Sequence, residues 1–252
     1  AIIAHALRML IFETGTTLRV ISPALILVIG SSLLALYLTP EALQALTKGP
    51  QEMALPDPTN GSLVFVFILA GLAGYVLMAV LWHRHVLLSG MERDGVMRPS
   101  ARIFFSYLGR AIVVGLVQLG VALPVTLAMG VLASLGGGSA LLVSIGGVLG
   151  GIIFAWIALR ISLVLPAAAV DARMTIRDSW EATKTMSQTL WGVALLLAGL
   201  NLFFFAIGAL LPSGQVATTL VGQQALFIVE GLIFVSVLTT LYGHLVEGRS
   251  LG

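Results

Sequence analysis

Glu230 is the residue whose chemistry most needs explaining. It stands inside the apolar run ALFIVEGLIFVSVLTTLYGHL, about 15 residues before Leu245, which is ~22 Å of helix at 1.5 Å per residue. A carboxylate at that depth in hydrocarbon is costly, so it must be neutralised, paired or wetted. Gln118 and Asn201 come to similar depths in two other apolar runs. Gathered together, the three would make a proton or substrate site of a transporter. They would equally serve as hydrogen-bonding glue between helices. No basic residue and no second acid share their depth, and ion-coupled carriers usually hold more intramembrane charge.

Arg110 and Arg160 stand near the ends of apolar runs, with Arg177 and Trp180 just beyond. Guanidinium groups bind phosphate bidentately, so these residues are candidate anchors for lipid phosphate. Plain snorkelling to the membrane interface is the commoner use of such arginines. His83 and His85 form an H-x-H, with His5 and His244 expected on the same side of the membrane. Two positions apart on a helix, the pair faces two directions, so they read as interfacial residues rather than metal or haem ligands. GGVLGG is followed by no lysine and lies in an apolar run, so it is no phosphate loop. Its Gly146, Gly147, Gly150 and Gly151, like Ala111 and Gly115, instead give the small-residue spacing of close helix contacts. With no cysteine there is no disulfide, thiolate metal site or cysteine nucleophile. No Ser-His-Asp set can be assembled. The residues therefore predict no catalytic site, no cofactor and no metal, and nothing in them points to nucleic acid.

The elements that position these residues follow from composition. The chain of 252 residues is 58% hydrophobic and 10% charged, too little charge to cover a soluble surface. Its apolar runs reach about 20 residues without alternating, as membrane helices do and barrel strands do not. The expected fold is an all-α membrane bundle in a single domain, 1–252. Its six spans are expected near 18–38, 62–82, 104–132, 140–164, 190–211 and 225–245. Pro23 falls near the start of the first and Pro166 should stop the fourth. The third is long enough to need an interfacial start near Phe104–Tyr107 and a bend at Pro124. WHRH should end the second with a belt tryptophan. Two amphipathic helices should lie on the membrane surface. One buries Ile2, Ile3, Ala6, Leu7 and Leu10. The other is capped by Thr175 with Asp178 at its third position and turns Ile176, Trp180 and Thr183 to lipid.

Of the thirteen basic residues only Lys48 falls on the side opposite the termini. By the positive-inside rule both termini are expected in the cytoplasm. AIIAHALRML does not read as a secretory signal. Basic, aromatic stretches (HALRMLIFETGTTL, ARIFFSYLGRAI and RDSWEATKTMSQTLW) precede spans one, three and five, which reads as three hairpins, each with its own interfacial helix.

The stretch RISLVLPAAAVDARMTIRDSWEAT combines an Arg-x-Ser-Leu, a proline, a short charged loop and a Ser-Trp-x-x-Thr. Through Arg160, Ser162, Leu163, Pro166, Ser179, Trp180 and Thr183 it resembles the membrane domain of bacterial glycerophosphodiester phosphodiesterases and related six-helix inner-membrane families. That resemblance implies a fold and a bacterial inner-membrane location. It implies no phosphodiesterase activity, because in that family catalysis belongs to a separate soluble barrel with acidic metal ligands. The leading functional expectation is a non-enzymatic accessory or scaffold subunit of a larger membrane assembly, in contact with lipid and with other integral membrane proteins or its own copies. The alternative is a small transporter or lipid-handling protein working through Glu230, Asn201 and Gln118.

Overall fold

The computed structural model describes residues 2–12, 14–39, 58–88, 99–135, 137, 140–211 and 216–250, and among these all regular structure is helical. The helices are α1 (Ile2–Phe12), α2 (Thr14–Leu38), α3 (Pro58–Leu87), α4 (Ala101–Leu135), α5 (Ala140–Ile161), α6 (Val164–Ala169), α7 (Ile176–Ala182), α8 (Ser187–Ala209) and α9 (Val216–Leu245). Six segments are long and apolar enough to cross a membrane: α2, α3, α4, α5 with α6, α8 and α9. The chain is thus an all-α bundle whose six helices suit a multi-pass membrane protein. The loop carrying Lys48 lies outside the described residues, as do Arg93 and Arg98.

Each successive pair of spans packs as a hairpin: α2 on α3, α4 on α5, α8 on α9. Around the bundle the order is α2, α3, α9, α8, α5, α4, with α4 also touching α3. Gly74 sets the first hairpin. A Cβ there would meet Val28 Cγ2 at 2.5 Å and the Val28 and Ala24 backbone at 3.1 and 3.3 Å. Gly146 and Gly150 face Met129 and Val125 of α4, whereas Gly147, Gly151 and Gly115 meet nothing within 4 Å. Only one of the two overlapping small-residue pairs therefore serves the bundle.

Packing is uneven along the membrane normal. The half nearer the two termini, here called the terminal half, holds most of the core. Its residues include Leu159, Leu163, Ala167, Leu190, Ala194, Val237, Leu238 and Leu241. The far half opens. α4 buries nothing beyond Gln118 and α8 nothing beyond Leu197. In their most apolar windows α4 is only 11% buried, against 50% for α9.

The reason lies at α6, which sits among α3, α4 and α9 with Ala167, Ala168 and Ala169 buried. Three alanines let several helices approach one short element. Pro166 does not stop the fourth span but sits inside α6. Its ring cannot pack over the carbonyl of Ser162 and it supplies no N–H to it. The helix therefore breaks earlier, at Ser162 and Leu163, and Leu165 N–H donates to the Ser162 carbonyl (3.0 Å). Pro166 then occupies the first turn of the new helix, where no N–H is required.

Several side chains expected to face lipid or the membrane interface pack on protein instead. α3 runs past Trp82 to Leu87, so Trp82, His83 and Arg84 are buried in protein rather than forming a membrane belt. α4 begins at Ala101 as one continuous helix, with Ile103 and Tyr107 in the core. α1 lies against α9 and buries Ile2 and Ala6 there. α7 turns Ile176, Trp180 and Thr183 toward the bundle: the first two pack against Val114, Ile161 and Val164, and Thr183 is buried. These stretches found protein partners for the faces that a lone amphipathic helix would give to lipid.

Candidate functional site

The stretch from Arg160 to Thr183 folds as a clip across the helix break. Breaking α5 from α6 leaves the Arg160 carbonyl and the Leu163 N–H without their helical partners. One hydroxyl serves both. Ser179 Oγ donates to the Arg160 carbonyl at 2.7 Å and accepts from Leu163 N–H at 3.2 Å. Thr183 Oγ1 in turn donates to the carbonyls of Ser179 (2.9 Å) and Trp180 (3.0 Å). The Arg160 guanidinium donates to the carbonyls of Trp180 (3.1 Å) and Thr183 (3.5 Å). It lies 4.2 Å from the Trp180 ring centre and 5.3 Å from that of Trp156, within cation–π range.

α7 is held at its other end by the predicted cap. Asp178 N–H donates to Thr175 Oγ1 (3.1 Å) and Thr175 N–H donates to Asp178 Oδ2 (2.9 Å), a reciprocal capping box. These bonds from Thr175, backbone first, hold the Asp178 carboxyl below the usual carboxylate range.

Other arginines converge on the same stretch. Arg110 donates to the carbonyls of Val164 (3.2 Å) and Ala172 (3.1 Å). Arg84 donates to the Ala169 carbonyl at 2.6 Å. Arg102 pairs with Asp171, which holds a positive φ of 60° just after α6. Thus Arg160 is buried and directed at protein, and Arg110 reaches backbone carbonyls from another helix. Neither is a free cation at headgroup level. Arg177 is exposed and Trp180 half-buried.

His83 stands at the centre of a network that the sequence did not announce. It is fully buried, with Nδ1 2.8 Å from Thr239 Oγ1 and Nε2 3.4 Å from the Tyr107 hydroxyl. Thr239 donates its hydroxyl hydrogen to the Val235 carbonyl at 2.7 Å. It must therefore accept from His83, which puts the ring hydrogen on Nδ1 and makes Nε2 the acceptor for Tyr107. The chain of bonds ties α4, α3 and α9 together. Equal distance from the terminal face, read across three spans, was the signal available for it.

In the far half the structure brings two of the three mid-membrane polar residues together. Asn201 Nδ2 donates to Glu230 Oε1 at 2.7 Å. The pair lines a hollow of about 490 Å³ between α8 and α9, with Gln223, Phe204, Phe205 and Phe227. Gln118 is not among its lining residues. It is buried on the α4 face that also buries Ile103, Tyr107 and Val114, and its Oε1 has no partner among the described residues. Gln118 sits apart because α4 packs on α5 and α6, away from the hairpin that holds the other two.

On another face of α9 lies a larger hollow of about 660 Å³, walled by α2, α3 and α9. Its lining is aliphatic and aromatic apart from Ser31, Ser32, Tyr75 and Gln224. The last two are joined: Gln224 Nε2 donates to the Tyr75 hydroxyl at 2.8 Å, and Phe227 packs edge-on against the Tyr75 ring at 5.1 Å. The extension of α9 beyond the expected start at 225 is what places Gln223 and Gln224 in these walls. Among the described residues no group of three His, Asp or Glu is placed to hold a metal ion. No protein-family model matches this chain, and no curated protein or solved structure matches it.

Proposed function

We propose that the chain is a non-enzymatic integral membrane protein that holds a lipid-like amphiphile in the open far half of its bundle. One observation supports this reading: the 660 Å³ hollow, apolar along its walls and carrying the hydrogen-bonded Tyr75–Gln224 pair in its lining. Its volume is within the range of about 300–1,000 Å³ typical of ligand pockets, and its few polar groups are paired at one place. It is built from helices that suit a membrane, so hydrocarbon is the natural occupant. The Glu230–Asn201 pair, on another side of α9, gives the far half a second polar point in contact with lipid-level surface. With positive residues gathered on the terminal face, both termini belong in the cytoplasm and the hollow belongs to the outer leaflet of a bacterial inner membrane.

The test is native mass spectrometry of the protein released from its membrane in mild detergent. The wild type should retain one or more lipid masses. Gly71→Leu, which fills the hollow from α3 where only Ser31 Oγ stands near at 3.5 Å, should retain markedly less without loss of the folded fraction. Equal retention by both proteins would sink the proposal.

A second reading is favoured by the uncovered wall of α4. Leu116, Leu119, Leu123, Leu127, Leu132 and Leu135 are all exposed. Such a wall suits an accessory or scaffold subunit packed against another integral membrane protein. The same spectra separate the two readings, because a stoichiometric partner adds a protein mass rather than a lipid mass.

A further inference from the structure

The hollow of about 490 Å³ between α8 and α9 is lined by two matching helix faces. On α8, Asn201, Phe204, Phe205 and Gly208 follow one another at i, i+3, i+4 and i+7. On α9, Gln223, Leu226, Phe227 and Glu230 do the same. That spacing puts each set on one side of its helix. Asn201 and Glu230 stand at the end nearer the terminal half. Gln223 stands seven residues, or ~10 Å, further out, with the phenyl rings between. At the level of Gly208 the helices close up, since a Cβ there would lie 3.7 Å from Leu226 Cδ1. The hollow is open to the side, with Phe205 73% and Phe227 60% exposed.

The charge of this lining is one-sided. Among the described residues Glu230 is its one ionisable side chain. Asn201 Nδ2 donates to Glu230 Oε1 at 2.7 Å, but an amide brings a hydrogen bond and no charge. A carboxylate within a membrane span calls for a positive partner. Arg84, Arg110 and Arg160 are spent on carbonyls around α6 and α7 in the terminal half. A hard metal ion does not suit the place either. Magnesium and calcium gather about six or more oxygens, whereas the lining offers one carboxylate and two amides. What suits it is a positive charge that carries its own apolar surface. Phenyl rings favour such a group twice, through hydrocarbon contact and through the attraction of their π electrons for cations.

We infer that this hollow binds a lipophilic organic cation, an ammonium or phosphonium with apolar substituents. Its charge lies against Glu230 and its substituents among Phe204 and Phe205, and it enters sideways from the lipid. The inference does not rest on the amphiphile site, whose hollow is walled by α2, α3 and α9 and has no carboxylate in its lining. The two hollows share Phe227, so the test leaves that residue unchanged.

The experiment uses the full chain in nanodiscs of zwitterionic lipid, with empty nanodiscs subtracting partition into the bilayer. Equilibrium dialysis measures saturable binding of tetraphenylphosphonium and of tetraphenylborate, ions of one shape and opposite charge. The wild type should bind the phosphonium saturably and the borate not at all. Glu230→Gln keeps the shape and removes the charge, and should weaken phosphonium binding at least tenfold. Phe205→Leu should weaken it about threefold, as for one exposed cation–π contact. Because Phe205 is so exposed, that variant decides the matter if Glu230→Gln does not fold. Gly71→Leu, which fills the larger hollow, tells the two sites apart: phosphonium binding lost in that variant belongs to the larger hollow and overturns the proposal. So does a wild type that binds no phosphonium, which leaves a proton as the counter-charge, or one that binds the borate equally well. Unchanged binding by the folded Glu230→Gln protein, or by Phe205→Leu, overturns it too.

Discussion

At the scale of single residues, the side chains that resemble a functional motif are spent on backbone. Ser179 replaces two helical partners with one hydroxyl, and Arg160 fills the end of α7 while packed between Trp156 and Trp180. A buried N–H stripped of its acceptor costs about 1–3 kcal/mol. Ser179→Ala should therefore lower stability by roughly that amount, and Ser179→Thr should recover part of it if the methyl fits. Thermal unfolding in detergent measures both. A Ser179→Ala protein as stable as the wild type would mean that the break at Ser162 is satisfied by water instead. The residue scale also marks where the sequence was least informative. Depth alone grouped Glu230, Asn201 and Gln118 as one expected cluster, and the structure joins only the first two. Gln118 shares their depth but not their helix neighbours, and depth carries no information about which helix lies beside which.

At the scale of elements, composition and apolar length gave the six spans, and cap chemistry gave α7 its start at Thr175. The break between α5 and α6 was legible only as a proline, because the rest depends on Ser179 sixteen residues later. The faces of α1 and α7 were read as amphipathic, and their amphipathicity is real. Periodicity does not say whether the apolar side meets lipid or another helix, and here it meets helices. The cap of α7 makes a pH prediction. Asp178 is held below its unfolded value of about 3.9 by Thr175. Its contribution is complete above that value and is lost as pH falls through the lower, folded pKa. Protection of the Ile176–Ala182 amides against exchange, after correction for the intrinsic pH dependence of exchange, should fall at acid pH. Asp178→Asn should weaken the cap at neutral pH and remove that acid-dependent component. An unchanged acid profile in the variant would assign the effect to another carboxylate.

At the scale of the whole molecule, two halves have different physics. The terminal half is a protein core, with arginines from α3, α4 and α5 donating to carbonyls around α6 and α7. The far half leaves the apolar sides of its helices largely uncovered. The central claim is that this half stands open. Because the chain has no native cysteine, single spin labels can be placed without removing any. Labels at Leu72 and Ala225, which line the larger hollow, and at Leu238 in the core, should be compared for collisions with membrane-dissolved oxygen in nanodiscs. The account predicts high oxygen access at Leu72 and Ala225 and low access at Leu238. Equal protection at all three would show that the spans close over the far half, and the amphiphile site would have no room to exist.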